Sequence, residues 1–246
     1  MRYGIISDIH SNIEALTASY EGLLECDCDK IISLGDIVGY GPSPSECIDF
    51  VRKHDILSIK GNHDAYTADA SEGKSWDVQE YARKSILWTR TILSKNQIEW
   101  LRELPYTVKL NNLQFVHASM ETMDGEYWPY VLDQKTALFH FYLQETDIAF
   151  CGHIHIPLIF TYRKGGIVME MLKEKELCEP DVKYLVNPGA VGQPRDSDWR
   201  SAAAVYDSST RKVTPVRVEY DVAATQEKIR QAGLPAVLAE RLSRGC

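Results

Sequence analysis

Metal-ligand chemistry is the first thing this chain offers. Aspartate, asparagine and histidine gather in five short clusters: Asp8-Ile9-His10, Gly35-Asp36, Gly61-Asn62-His63-Asp64, His117 and Gly152-His153-Ile154-His155. Neutral imidazoles and carboxylates suit borderline divalent ions such as Mn, Fe, Zn, Co and Ni. Taken singly, each cluster says little. Asp-x-His and Gly-Asp are common turn sequences, and a lone His117 is more often a hydrogen-bonded histidine than a ligand. Gly-His-x-His says more, because two imidazoles within three residues can converge on one ion. The joint pattern decides. Of seven histidines, only His54 and His140 fall outside the clusters. No cysteine joins them, which argues against a structural zinc site. A carboxylate can bridge two ions through its two oxygens, and Asp36 is the natural candidate.

The clusters need elements to bring them together. Each follows a short apolar run of strand length: residues 2–7, 30–34, 56–60, 113–116 and 147–150. Residues 12–25 read as a helix, with Ile13, Leu16, Tyr20, Leu23 and Leu24 at helical spacing and Ser11 or Asn12 as its cap. A second helix, 45–54, is entered through the turn-rich 39–44 segment. This is a repeated β-loop-α-β arrangement with polar residues just after each strand, where open α/β sheets gather their ligands. Residues 71–103 read as one or two aromatic-rich helices, 108–113 as a hairpin turn, 121–129 as a covering loop and 134–144 as a helix. Strands are expected at 158–162, 167–171, 183–186, 202–206 and 212–218, with a Gly165-Gly166 turn. The charged segment 172–181 reads as an exposed loop. Residues 222–244 read as two short helices broken by Gly233 and Pro235. No linker divides the chain, so one domain, 1–246, is expected, with an insertion around 71–103 and C-terminal helices at 222–244.

Bulk properties narrow the function classes. The 246 residues are 44% hydrophobic and 25% charged, ordinary for a globular domain with a real core. The formal net charge of -8 disfavours an extended nucleic-acid-binding face. Two divalent ions would nonetheless concentrate positive charge at one place. No apolar run approaches the length of a membrane span, and the N-terminus lacks a signal-peptide pattern. The six cysteines are scattered and read as reduced thiols. A cytoplasmic protein is expected, with a small phosphorylated substrate as partner; a homo-oligomer is compatible with the sequence.

The ordered ligand set resembles the signature of the calcineurin-like metallophosphoesterase superfamily. The segments GDIVGYGPSPSECIDFVR (35–52) and NPGAVGQPRDSD (187–198) are similar to a bacterial and archaeal phosphodiesterase-like branch. In all, the resemblance covers roughly residues 1–207. It implies an α/β fold of two mixed β-sheets packed face to face with flanking helices, a four-layer α/β/β/α sandwich. It also implies that Asp8, His10 and His155 hold one ion, that Asn62, His117 and His153 hold a second, and that Asp36 bridges them. The implied activity is that of a dinuclear metal-dependent phosphoric ester hydrolase, with diesters ahead of monoesters. A water activated by two metals would attack phosphorus in line with the leaving oxygen. The implied cofactors are two divalent transition-metal ions, Mn first, with Fe, Zn, Co and Ni open.

Three further residues are candidates for the chemistry. His63 lies beside ligand Asn62 and is expected to protonate the leaving group or stabilise a phosphoryl oxygen. Asp64 is expected to orient that imidazole and keep it cationic. Arg195, in a Gly- and Pro-rich loop, matches phosphate geometry, against a bland alternative of pairing with Asp196 or Asp198. Tyr40 could contact substrate or simply pack. The aromatic segments 76–100 and 127–130 could rim the site, although helix packing is the plainer reading. The alternative to an enzyme is a non-catalytic scaffold that binds a protein partner. Such a scaffold is expected to lose ligands, and this chain has lost none.

Overall fold

The computed structural model of the protein describes residues 1–71, 73, 76, 78–122, 125 and 127–246. Glu72, Lys74, Ser75 and Asp77, within the expected helical insertion, lie outside the described residues, as do Met123, Asp124 and Glu126 of the expected covering loop. No helix among the described residues is long and apolar enough to cross a membrane.

Twelve strands form two six-stranded sheets among the described residues. The first sheet is built on β1 (Arg2–Ile6), β2 (Lys30–Ser33) and β3 (Leu57–Ser58), which run parallel. It continues through β11 (Ser201–Asp207), β12 (Lys212–Val218) and β9 (Lys175–Glu176), in the order β3-β2-β1-β11-β12-β9. The second sheet runs β4-β5-β6-β10-β7-β8. Its members are β4 (Thr107–Leu110), β5 (Leu113–Val116), β6 (Ile148–Phe150), β7 (Pro157–Arg163), β8 (Gly166–Met171) and β10 (Lys183–Pro188). In it β5, β6 and β10 are parallel. Each sheet therefore has three parallel neighbours whose carboxyl ends open on the same side of the strands.

Alternation along the strands makes the layers. Tyr3 and Ile5 of β1, Ile32 of β2, Phe115 of β5, Phe150 of β6 and Tyr184 of β10 meet in one core between the sheets. The intervening residues point outward. Ile6 and Ile31 pack under α1 (Ile13–Glu25) and α2 (Pro44–Lys53), while Val116, Ala149 and Leu185 pack under α6 (Gln134–Leu143). Period-two side chains on the central strands thus give a buried face on both sides. The result is the four-layer α/β/β/α sandwich.

Asn12 is the cap of α1, its side chain accepting from the Ala15 amide at 3.1 Å. Three expectations change. The third strand shrinks to Leu57–Ser58, because Lys60 leaves the sheet to bond the Pro105 carbonyl. The segment 172–181 is not wholly an exposed loop. Leu172 and Leu177 are buried in the inter-sheet core, and β9 pairs with β12 there. The insertion holds two helices, α4 (Glu80–Ile92) and α5 (Lys95–Glu103), separated where Ser94 and Gln97 form a capping box. A short α3 (Asn62–Ala68) precedes them. The C-terminal pair is α7 (Val222–Gln231) and α8 (Ala236–Glu240), with a 3-10 turn at Leu242–Arg244.

Candidate metal centre

Six loops leave the carboxyl ends of β1, β2, β3, β5, β6 and β10 and meet. Backbone bonds knit them together: the amides of Asp8 and His10 donate to the carbonyls of Gly35 and Asp36, and Gly152 donates to His117. Gly192, following β10, donates to the Asp8 carbonyl. Sharp turns are needed to aim side chains from strand ends. Asp8, His10, Asp36, His153 and His155 all sit at φ between 49° and 69°. Such left-handed residues each cost on the order of 1 kcal/mol and persist where the surroundings fix them. Gly61 is required for a different reason: a Cβ there would lie 2.1 Å from Asp36 Oδ1.

The side chains converge in three overlapping groups: Asp8–His10–His155, His10–Asp36–His63 and Asp36–His117–His153. His155 Nε2 lies 3.3 Å from Asp8 Oδ1 and 3.1 Å from His10 Nε2. His117 Nε2 is 3.3 Å from Asp36 Oδ2 and 3.2 Å from Asn62 Oδ1. His10 Nε2 approaches the same Asp36 oxygen at 3.6 Å. Asp36 Oδ1 accepts the His63 amide at 2.8 Å, so Oδ2 alone, rather than both oxygens, faces the two histidines.

The outer ring nitrogens show how the imidazoles are held. Nδ1 of His10, His117 and His155 bonds the carbonyls of Val38, Leu34 and Gln193 at 3.2, 2.8 and 2.6 Å. A carbonyl only accepts, so each Nδ1 carries a proton and each Nε2 points inward, the orientation metal ligation requires. The two facing Nε2 lone pairs of His10 and His155 repel unless a cation lies between them. Asp8 Oδ1 and His153 Nε2 are buried without a hydrogen-bond partner. Buried polar atoms rarely stay unpaired. The donor set therefore fits divalent metal ions.

Electrostatics divide the site. Burial pushes the Asp36 carboxyl up, but His117 and His63 outweigh it and hold it well below the carboxylate range. Burial raises Asp8 as well, and the His155 imidazole beside it pulls it down. Burial alone would lower His117, yet contact with Asp36 carries it up to about 9. Burial lowers His63 to about 4 and His153 to about 3, and puts His10 well below the ordinary value.

The expected carboxylate–imidazole pair is not formed. Asp64 accepts the amides of Ile37, Val38 and Gly61 at 2.9, 3.2 and 3.0 Å. Burial pushes its carboxyl up to about 7, with the Asp36 charge adding to the rise. It ties the Asp36 loop to the start of α3 instead of keeping His63 cationic. Nδ1 of His63 is buried without a partner and packs on Gly39, where a Cβ would lie 2.3 Å away. His63 also lines the cleft above the cluster.

Arg195 lines that cleft too, its Nη2 bonding Gln193 Oε1 at 3.0 Å, with Tyr40 Oη at 3.5 Å. Its alternative partners are engaged elsewhere: Asp196 with Arg217, and Asp198 with Arg200. Tyr40 does both things considered for it. It lines the cleft and packs against His10 and His63, with ring centroids 4.5 and 4.4 Å away. The aromatic segments divide likewise. Tyr81, Tyr127, Trp128 and Tyr130 line the cleft, whereas Trp88 and Trp100 pack into hydrophobic clusters. Sequence reasoning missed the three carbonyls that hold the imidazoles, which have no side-chain signature. It also missed Gly39, for which the Gly-Tyr-Gly turn was a usable signal.

Residues 1–211 match the sequence profile of the calcineurin-like phosphoesterase superfamily domain. A metallophosphoesterase from Sphaerobacter thermophilus is 35% identical, with a TM-score of 0.87 and coverage of 100% of this chain and 99% of that one. An uncharacterised protein of Methanocaldococcus jannaschii is 37% identical over 246 residues, 98% of this chain and 97% of the relative. A hypothetical protein from Pyrococcus horikoshii OT3, 21% identical, shares the fold at a TM-score of 0.80, with 100% and 98% of the chains covered. Profile, relatives and strand-end cluster agree, and the chain belongs to the calcineurin-like phosphoesterase superfamily.

Proposed function

We propose that this protein hydrolyses a phosphoester, with two divalent ions held by Asp8, His10, Asp36, Asn62, His117, His153 and His155. The observation that carries the reading is the chain of ligand groups sharing Asp36 and His10, with three imidazoles locked so that Nε2 faces inward. When bound, the ions would activate a water for attack on phosphorus and offset charge on the phosphoryl oxygens. Manganese heads the candidate metals, with Fe, Zn, Co and Ni suited to the same donors.

The chain's own groups do the rest. Asp36 Oδ2 is the oxygen common to both sides of the centre. Arg195 sits where its guanidinium can clamp a phosphoryl oxygen. His63 rests neutral because it is buried. A bound phosphoester brings negative charge next to it and favours its protonated form, the state that can protonate the leaving oxygen. Diesters are the favoured class, because residues 35–52 and 187–198 resemble the phosphodiesterase-like branch. The six cysteines are free thiols, as suits a reducing compartment, and we assign the protein to the cytoplasm.

The test is His63→Gln assayed on bis-p-nitrophenyl phosphate. Metal content should match the parent while turnover falls roughly 10²-fold or more. Equal turnover at equal metal content would remove His63 from the mechanism.

A further inference from the structure

Candidate metal ligands and Arg195 account for part of the lining of a cleft of about 570 Å³. A phosphate group needs nothing more. Yet the same cleft is also lined by Gln79 and by the aromatic side chains of Tyr81, Tyr127, Trp128 and Tyr130. Two of these rings are exposed to an unusual degree for large side chains, Tyr127 at 59% and Tyr130 at 51%. Neither is spare core material.

Tyr130 is the most telling. One face of its ring stacks on His153, with centroids 4.1 Å apart and planes 23° from parallel. The ring is thus held beside a candidate-ligand imidazole, and the residue remains about half exposed where it lines the cleft. A flat ring could stack on the face turned away from His153. Tyrosine and tryptophan platforms of this kind stack bases without demanding a particular sequence. The tyrosine hydroxyls and the Gln79 amide add donors and acceptors, which suit a ring bearing heteroatoms better than a plain phenyl group. Among the described lining residues, Arg195 is the one Lys or Arg side chain. A polynucleotide backbone would call for a row of them.

We infer that the substrate is a small nucleotide-type phosphoester whose heteroaromatic base stacks on the open face of Tyr130 while its phosphate meets the metal end and Arg195. This rests on the phosphoesterase reading of the same site. Tyr130 recognises the base and Tyr127 extends the wall.

Calorimetric titration of the Mn²⁺-loaded protein tests it without relying on turnover. The probes are AMP, ribose 5-phosphate, phenyl phosphate and a short oligothymidylate. AMP and ribose 5-phosphate share the phosphate and sugar and differ by the base alone. AMP should bind at least roughly tenfold more tightly than ribose 5-phosphate or phenyl phosphate. Tyr130→Ala should shrink that gap to within about threefold, and Tyr130→Phe should retain it. Equal binding of AMP and ribose 5-phosphate would overturn the base-stacking inference and leave the phosphate site standing. Phenyl phosphate binding as tightly as AMP would replace the nucleotide with a simple aryl ester. Oligothymidylate outcompeting AMP with steep salt dependence would replace the small ligand with a polymer. No binding by any of the four would overturn the phosphoesterase reading and this inference together.

Discussion

At the scale of single residues, strain and burial carry the chemistry. Five candidate ligands adopt left-handed backbone angles that unconstrained chains avoid, and they hold because amides and carbonyls of neighbouring loops lock each turn. The clusters were legible in the sequence because Asp, Asn and His are unusual at strand ends in such number. The orientation of each imidazole was not, since Leu34, Val38 and Gln193 act through carbonyls that any residue possesses. The Asp64 error has a related cause. Adjacency to His63 suggested a side-chain pair, but the first turn of α3 directs Asp64 back to the amides of Ile37, Val38 and Gly61.

His140, outside the candidate ligand clusters, gives a test of burial at this scale. It is fully buried, and its Nδ1 accepts the Met120 amide at 3.3 Å. Burial lowers its pKa from 6.5 to about 3, with the neighbouring Gln144 side chain opposing and Lys183 adding to the drop. The unfolded chain therefore binds a proton that the fold refuses. The stabilising preference for the neutral ring is intact above pH 6.5 and is lost as pH falls from 6.5 towards 3. The full difference is on the order of 5 kcal/mol. Urea unfolding at pH 7.5 and pH 5 should show a smaller acid loss for His140→Gln than for the parent. Parallel losses in the two proteins would remove His140 from the acid limb.

At the scale of elements, the C-terminal helices matter to the centre although they lie beyond the matched residues 1–211. Tyr40, Ala82 of α4, Ile229 of α7, and Leu238 and Ala239 of α8 share one cluster. The Tyr40 amide also bonds Ser85 of α4 at 3.1 Å. Tyr40 touches His10 and His63, so α4, α7 and α8 together brace the ring that backs the site. Leu238→Ala should cost about 2–5 kcal/mol in denaturant unfolding, and the loosened Tyr40 should lower turnover at unchanged metal content. A stability loss with no change in turnover would confine α8 to a structural role. Most helices and strands followed from periodicity. The depth of Leu172 and Leu177 did not, because six charged residues surround them within 172–181 and mask two inward-facing leucines.

At the scale of the molecule, an acidic chain of net charge -8 gathers five of its seven histidines in one place and folds two sheets so that their parallel strand ends meet there. The face-to-face sandwich came from the family resemblance. The pairing of β1 with β11, some 200 residues away, leaves no local trace in sequence. The ion charges would offset that acidity locally and let an anionic ester approach.

A metal centre organised around Asp36 is put to the test by hydrolysis of bis-p-nitrophenyl phosphate by metal-stripped protein, before and after addition of Mn²⁺, with Asp36→Ala alongside. Negligible activity is expected in the stripped protein, with recovery on adding Mn²⁺ and no recovery in Asp36→Ala because the shared Oδ2 is gone. Activity that ignores metal, or that survives in Asp36→Ala, would contradict a metal centre organised around Asp36.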